Sequence, residues 1–253
     1  MLIFSLYKIA SRLIEDKKAK DMFSSLSEMV RAAESKETEA APAREEESRV
    51  ADETGETEAP ENRTVLPRYA SLYEMNSDTF GWISIEGTLL DYPVMYTPRD
   101  PQFYLRRDFY GQPLVTGVPF VDASCPENGN FYLIYGHQMN NGTMFGSLDK
   151  YASREYRDEH PYIRFDTLYR EGTYEVMAAF FAEINDSKDG FAYYRYRDLT
   201  DPGVFREYVE GVKQSSVYDT GIDAEYGDEL ITLSTCSYHT EEGRFVVVAK
   251  RIR

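Results

Sequence analysis

Hydrophobic and polar positions divide the chain into three regions of different character. Over residues 1–30 apolar side chains recur at the spacing of one helical face, first at Leu2, Leu6, Ile9 and Leu13 and then at Phe23, Leu26 and Val30. Residues 34–64 carry almost no large apolar side chain, and from residue 71 onward short apolar runs alternate with turn residues. The pattern predicts a helix, a polar segment and a β-rich remainder.

The β-rich remainder contains short runs of β-branched and aromatic residues bounded by turn residues, which is typical of strands. The predicted strands cover residues 80–85, 89–96, 117–121, 130–135, 162–166, 173–184, 230–236 and 244–250. Pro93 interrupts the second of these, which places that strand at an edge or a bulge. Many short strands with few helices indicate a mainly β fold, either a barrel or a sandwich.

Helical pieces interrupt these strands in three places. Residues 103–110 predict a short helical or irregular piece, and residues 144–151 a short helix. A longer helix is predicted over 201–214, because Asp201 can cap its N-terminus and Pro202 suits its first turn.

Charge is concentrated in the polar segment. The chain of 253 residues has a net charge of −16, and residues 34–61 hold eleven acidic and three basic residues, which is half of that excess. Such a segment buries too little apolar surface to offset its chain entropy, so we expect disorder. We therefore predict a helix over 1–33, an acidic linker over 34–64 and one domain over 65–253.

No basic stripe is present, which argues against nucleic-acid binding.

Candidate chemistry lies at the end of the chain. The predicted strand 230–236 ends in Cys236, a polar loop follows, and the next strand opens with Arg244. If the two strands pair around that loop, Cys236 and Arg244 lie opposite each other with their side chains on one face. A thiol beside a fixed cation is the arrangement that makes a cysteine reactive.

The chain has three histidines, which are the candidate acid–base groups. His137 directly follows the strand 130–135 and is the preferred one. His239 lies in the loop after Cys236 and is its rival, whereas His160 precedes Pro161 in a polar stretch and shows no evident role.

Two motifs carry a family resemblance. Thr-Leu-Ser-Thr-Cys at 232–236, followed by Arg244, resembles the active-site hairpin of class B sortases, the cysteine transpeptidases of Gram-positive bacteria. The run from Tyr135 to Phe145 resembles the histidine segment of the same class. The likeness covers the chain from about residue 73 to Arg253, and it implies an eight-stranded β-barrel with an N-terminal helix and inserted helices.

The resemblance also implies an activity. Cys236 would attack the threonine carbonyl of a C-terminal sorting signal and form a thioester, with His137 as acid and base and Arg244 holding the oxyanion or substrate. A peptidoglycan peptide amine would then accept the protein. A pilus-polymerising sortase and a non-catalytic surface β-barrel that binds a partner are the alternatives.

The site carries two further expectations. Ser234 lies two residues before Cys236, hence on the same strand face, and is a candidate hydrogen-bond partner for the substrate. Several class B members have an acidic residue directly after the cysteine, whereas this chain has Ser237, which puts an acidic helper there in doubt. Asn140 and Asn141 fit a turn.

The resemblance also implies a location, because class B sortases have a membrane anchor. The opening apolar run, about ten residues long, is shorter than the roughly 20 residues that a spanning helix needs. The resemblance implies that residue 1 lies at or within the end of an anchor, with the domain on the extracellular face of the cell membrane. The alternative is an amphipathic helix that packs on the domain.

No cofactor or metal site is expected. The cysteines and histidines lack ligand spacing, and neither a calcium loop nor a phosphate loop is evident. Two cysteines do not form a disulfide framework, and we expect Cys125, in a loop, to be a free thiol.

Overall fold

The computed structural model describes residues 2–40, 64–184, 190–236 and 242–253, and at 2–13, 38–40 and 236 it describes the backbone alone. Two compact units are present. The first comprises the N-terminal part up to Ser77 together with Leu168–Arg170, and the second comprises Asp78–Thr167 and Glu171–Arg253.

The first unit contains two helices, α1 over Leu2–Ala40 and α2 over Pro67–Met75. The predicted apolar stretch Phe23, Leu26 and Val30 is buried, as its helical spacing indicates. Among the described residues, no helix combines the length and the apolar character that crossing a bilayer requires.

The boundary predicted between helix and linker is wrong. Helix α1 continues to Ala40, seven residues beyond the predicted end at 33. The cause is a contact with α2: Arg68 pairs with Glu34 at 3.1 Å and with Glu37 at 2.8 Å. Glu37 Oε1 also accepts the backbone N–H of Arg68 at 2.7 Å, near the α2 N-terminus, where Leu66 offers no side-chain cap. Residues 41–63, the rest of the predicted linker, lie outside the described residues.

The second unit is a closed barrel of eight strands, as the family resemblance implies. The strands are β1 (Thr79–Ser84), β2 (Asp91–Met95), β3 (Phe120–Val121), β4 (Phe131–Tyr135), β5 (Tyr162–Thr167), β6 (Thr173–Glu183), β7 (Leu230–Cys236) and β8 (Gly243–Arg251). Their order around the barrel is β1-β2-β3-β4-β7-β8-β6-β5, and β5 pairs with β1 to close it. The β2–β3 and β4–β7 pairs are parallel, and the others are antiparallel.

The sequence predicts an edge or a bulge at Pro93, whereas in the closed barrel β2 lies between β1 and β3. Pro93 faces Trp82 of β1 on one side, while β2 pairs with β3 only at Met95. Because proline has no N–H to donate, a strand paired along one side is where it costs least.

The helical pieces agree with the sequence in part. A 3₁₀ turn covers Phe103–Arg106, and a second, at Leu148–Ala152, overlaps the second half of the predicted helix 144–151. Helix α3 (Arg154–Glu159) and helix α2 were not predicted. Helix α4 (Pro202–Ser215) was, and Asp201 caps it by accepting the N–H groups of Gly203 at 2.8 Å and Val204 at 3.0 Å.

Candidate active site

Two strand pairings bring the candidate residues to one end of the barrel. The parallel β4–β7 pair sets Tyr135 beside Ser234, and the antiparallel β7–β8 pair sets Cys236 opposite Arg244. The predicted hairpin register is therefore confirmed. The side chain of Cys236 lies outside the described part of the chain, as do Ser237 and His239.

His137 reaches the same end because the chain leaves β4 in register with β7. The N–H of Gly136 donates to the carbonyl of Ser234 at 3.2 Å, one residue beyond the strand. His137 and Cys236 each lie two residues beyond the pair Tyr135–Ser234. Parallel strands advance equally, so the two backbones arrive at the same end of the barrel.

A cavity of about 430 Å³ opens at this end. Three of the residues predicted from sequence line it, namely His137, Arg244 and Ser234. Asp122 and Arg197 also line it.

The imidazole of His137 is half-buried and held by one strong contact. Its Nε2 lies 2.7 Å from the carbonyl oxygen of Leu105, in the 3₁₀ turn that forms one wall of the cavity. Burial lowers the pKa of His137 from its usual 6.5, the hydrogen bond to Leu105 opposes that shift, and Arg106 adds to it. The neutral imidazole is therefore favoured relative to a free histidine.

The guanidinium of Arg244 is half-buried, and its Nη1 donates to the carbonyl of Gly243 at 2.9 Å. An alternative role for Arg244 is a surface ion pair with the nearby Glu241 or Glu242. Among the described residues, which include Glu242, no ion pair joins Arg244 to another side chain. Glu241 lies outside the described residues. The guanidinium of Arg244 therefore has no carboxylate partner among the described residues.

The sequence patterns did not predict an ion pair that lies in the cavity. Arg197 Nε contacts Asp122 Oδ1 at 2.9 Å, and Tyr135 donates its hydroxyl to Asp122 Oδ2 at 3.1 Å. Asp122 directly follows the strand 117–121, a position that could have marked it. Arg197 lies in the long connection between β6 and α4, where no spacing indicates which residue reaches the cavity.

Ser234 is almost completely buried, with an exposed fraction of 1%. Its hydroxyl is hydrogen-bonded to that of Tyr193 at 2.7 Å, and Tyr193 itself is fully buried. A contact between Ser234 and a substrate stays a prediction, and it would require this hydroxyl pair to rearrange.

The remaining candidates have structural partners. Cys125 is a free thiol, as predicted, and burial raises its pKa to about 11. Asn141 accepts from the backbone N–H of Thr143 at 3.1 Å, which agrees with a turn. His160 Nδ1 lies 2.9 Å from the carbonyl of Glu86, away from the cavity lining. Within the described residues, no group of three or more His, Cys, Asp or Glu residues is arranged to hold a metal ion.

Comparison with known proteins identifies the family. The family model of the sortase domain matches residues 83–252. Sortase B of Listeria monocytogenes serovar 1/2a (strain ATCC BAA-679 / EGD-e) is 30% identical over 198 residues, which is 76% of this chain and 76% of that protein. Sortase B of Staphylococcus aureus (strain NCTC 8325 / PS 47) is 30% identical over 193 residues, 75% of this chain and 76% of that protein.

The fold comparison agrees with the sequence comparison. A solved Staphylococcus aureus sortase B–substrate complex is similar with a TM-score of 0.77 at 27% identity, over 95% of this chain and 99% of that one. The family match covers well over half of the chain, and the barrel order and hairpin register agree with the resemblance read from the motifs. The chain therefore belongs to the sortase family, and within it to class B.

Proposed function

We propose that this sortase is a cysteine transpeptidase that acts on a C-terminal sorting signal of an exported protein. It would cleave after threonine and pass the acyl group to an amine of a cell-wall peptide, on the outer face of the cell envelope. The observation that supports the proposal is the shared register of β4, β7 and β8, in which Cys236 is paired with Arg244 and β4 ends two residues before His137.

In the first half of the reaction, the sulfur of Cys236 attacks the threonine carbonyl carbon, and its proton goes to His137. The carbonyl oxygen becomes an oxyanion, and Arg244, whose charge is permanent, supplies donors to it. When the C–N bond breaks, His137 returns the proton to the leaving amine, and a thioester remains.

In the second half, an amine attacks the thioester and His137 takes its surplus proton. The C–S bond breaks, the sulfur leaves, and a new amide is formed, so no oxidant or reductant is consumed. Water can take the place of the amine, which gives slow hydrolysis. Burial lowers the pKa of the His137 imidazole and so favours its neutral form, which supports the base role.

The test is peptide cleavage by the 253-residue chain and by variants at both cysteines. We expect Cys236→Ala to keep its fold by circular dichroism and to lose all cleavage of threonine-containing sorting-signal peptides. Cys125→Ala is the matched control and should retain cleavage, since Cys125 is buried with its thiol pKa raised. Mass spectrometry should find the acyl adduct, ending in threonine, on Cys236.

Arg244 is tested in the same assay. Arg244→Ala and Arg244→Lys should each lower kcat/KM on the order of a hundredfold, because lysine keeps the charge but not the planar fork. Cleavage by Cys236→Ala, or an adduct on Cys125, would overturn the proposal and favour a barrel that only binds a partner.

A further inference from the structure

The hydrogen bond between His137 and Leu105 determines which ring nitrogen can exchange protons. A carbonyl oxygen can only accept, so the 2.7 Å contact requires Nε2 of His137 to carry a hydrogen. A neutral imidazole carries one N–H, so its lone pair is then on Nδ1. In this geometry Nε2 is protonated throughout, and Nδ1 is the nitrogen that can change state.

The Leu105 carbonyl is itself held by a close approach of the backbone. Leu105 lies in the 3₁₀ turn Phe103–Arg106, and Gly117 packs directly against that turn. A Cβ added at Gly117 would lie 2.5 Å from the carbonyl oxygens of both Tyr104 and Leu105. The φ angle of Gly117 is +58°, in the left-handed region, so glycine is favoured here for two reasons.

The same turn is fixed from its other sides. The N–H of Val118 donates to the Tyr104 carbonyl at 3.1 Å, and the Tyr104 hydroxyl donates to Asp78 at 2.8 Å. The N–H of Leu105 donates to the carbonyl of Gln102 at 3.0 Å. The acceptor for His137 is therefore part of a rigid wall.

The backbone of His137 is equally constrained. The N–H of Phe145 donates to the His137 carbonyl at 3.0 Å. The preceding residue, Gly136, packs so closely on the Phe145 ring that a Cβ there would lie 2.6 Å from it. With both the main chain and the ring anchored, the imidazole has one defined orientation.

We propose that Gly117 is a positioning residue, which places the Leu105 carbonyl so that His137 keeps its hydrogen on Nε2 and transfers protons through Nδ1. The inference rests on the proposed function for its catalytic part. In the reaction, Nδ1 accepts the thiol proton, gives it to the leaving amine and later takes one from the incoming amine, while the Nε2–H bond is never broken.

The tautomer can be measured without any activity. In full-length protein with ¹⁵N-labelled histidine, at a pH where the imidazole is neutral, His137 should show a protonated Nε2 and an unprotonated Nδ1. With three histidines in the chain, the variants His160→Gln and His239→Gln assign the signals. A protonated Nδ1 with a bare Nε2 would overturn the inference, whether or not the enzyme cleaves peptides.

The role of Gly117 is tested by Gly117→Ala against Gly221→Ala. Gly221 also has a positive φ, +75°, but a Cβ there meets nothing within 4 Å, so it reports backbone strain alone. We expect Gly117→Ala to give mixed His137 tautomers and to lower kcat by about tenfold to a hundredfold with KM almost unchanged. Gly221→Ala should match the wild type in both readouts.

If Gly117→Ala does not fold, Gly117→Asn takes its place, since asparagine tolerates the left-handed region and still carries a Cβ. A folded Gly117 variant with the wild-type tautomer and kcat would refute the positioning role. Retained cleavage by Cys236→Ala would instead refute the proposed function, so the two failures are distinguishable.

Discussion

At the scale of single residues, the environment of His137 links the site to the pH dependence of stability. Burial lowers its pKa, and the charged group that contributes to this shift is Arg106. Asp122, Arg197 and Arg244 line the same cavity. A pKa lower in the folded state means that the unfolded chain binds the proton first as the pH falls.

The free energy of unfolding should therefore contain a contribution from His137 that is present above about pH 6.5 and is lost as the pH falls toward the lower folded pKa. The free energy of unfolding is measured with urea at each pH for the wild type and for His137→Asn. The difference between the two separates the contribution of His137 from that of the carboxylates. The difference should rise with pH between about pH 5 and pH 7. A difference that is constant over that range would contradict the burial argument.

Which residues lie opposite each other could be predicted along the strands, but not where a contact depends on a loop. Cys236 and Arg244 could be paired because a hairpin fixes its own register. The Arg197–Asp122 pair could not, because the long connection from β6 to α4 gives no register. The acceptor of His137 is a backbone carbonyl, which every residue has, so no residue type marks Leu105.

At the scale of elements, two tyrosine hydroxyls form hydrogen bonds with alternate residues on one face of β7. Tyr208 of α4 is hydrogen-bonded to Thr232, and Tyr193 of a 3₁₀ turn to Ser234. All four side chains are buried. The two hydroxyl pairs tie the connection between β6 and β7 to the strand that ends at Cys236.

Tyr193→Phe should destabilise the protein by about 1–3 kcal/mol, because it leaves the buried hydroxyl of Ser234 without its partner. Removing both hydroxyls should cost less than the sum of the two single changes, since neither is then left unsatisfied. Urea unfolding of Tyr193→Phe, Ser234→Ala and the double variant measures the coupling. Additive losses would show that the two hydroxyls do not stabilise each other.

The elements that the sequence predicted are those whose burial pattern is local. Strands with β-branched cores and the capped helix α4 carry their signal in consecutive residues. Helix α2 was missed because its buried residues, Tyr69 and Leu72, are too few to establish a period over nine residues. The end of α1 was misplaced because Arg68, far along the chain, pairs with Glu34 and Glu37.

At the scale of the whole molecule, the described residues of the candidate site all belong to the barrel unit, and the carboxylates that extend α1 belong to the other. Within the helical unit, Glu37 both pairs with Arg68 and accepts a backbone N–H near the start of α2.

Glu37→Ala should weaken helix α2 by about 1 kcal/mol, the usual loss on removing a cap, and the partly exposed ion pair should add little. That loss corresponds to about a fivefold faster amide exchange over residues 67–75, measured by mass spectrometry. Glu28→Ala is the matched control, since Glu28 is exposed on the same helix. Amides of β7 and the rate of peptide cleavage should be unchanged, because Glu37 contributes nothing to the barrel's own hydrogen bonds. Unchanged exchange over residues 67–75 in Glu37→Ala would mean that the contacts of Glu37 do not stabilise the start of α2.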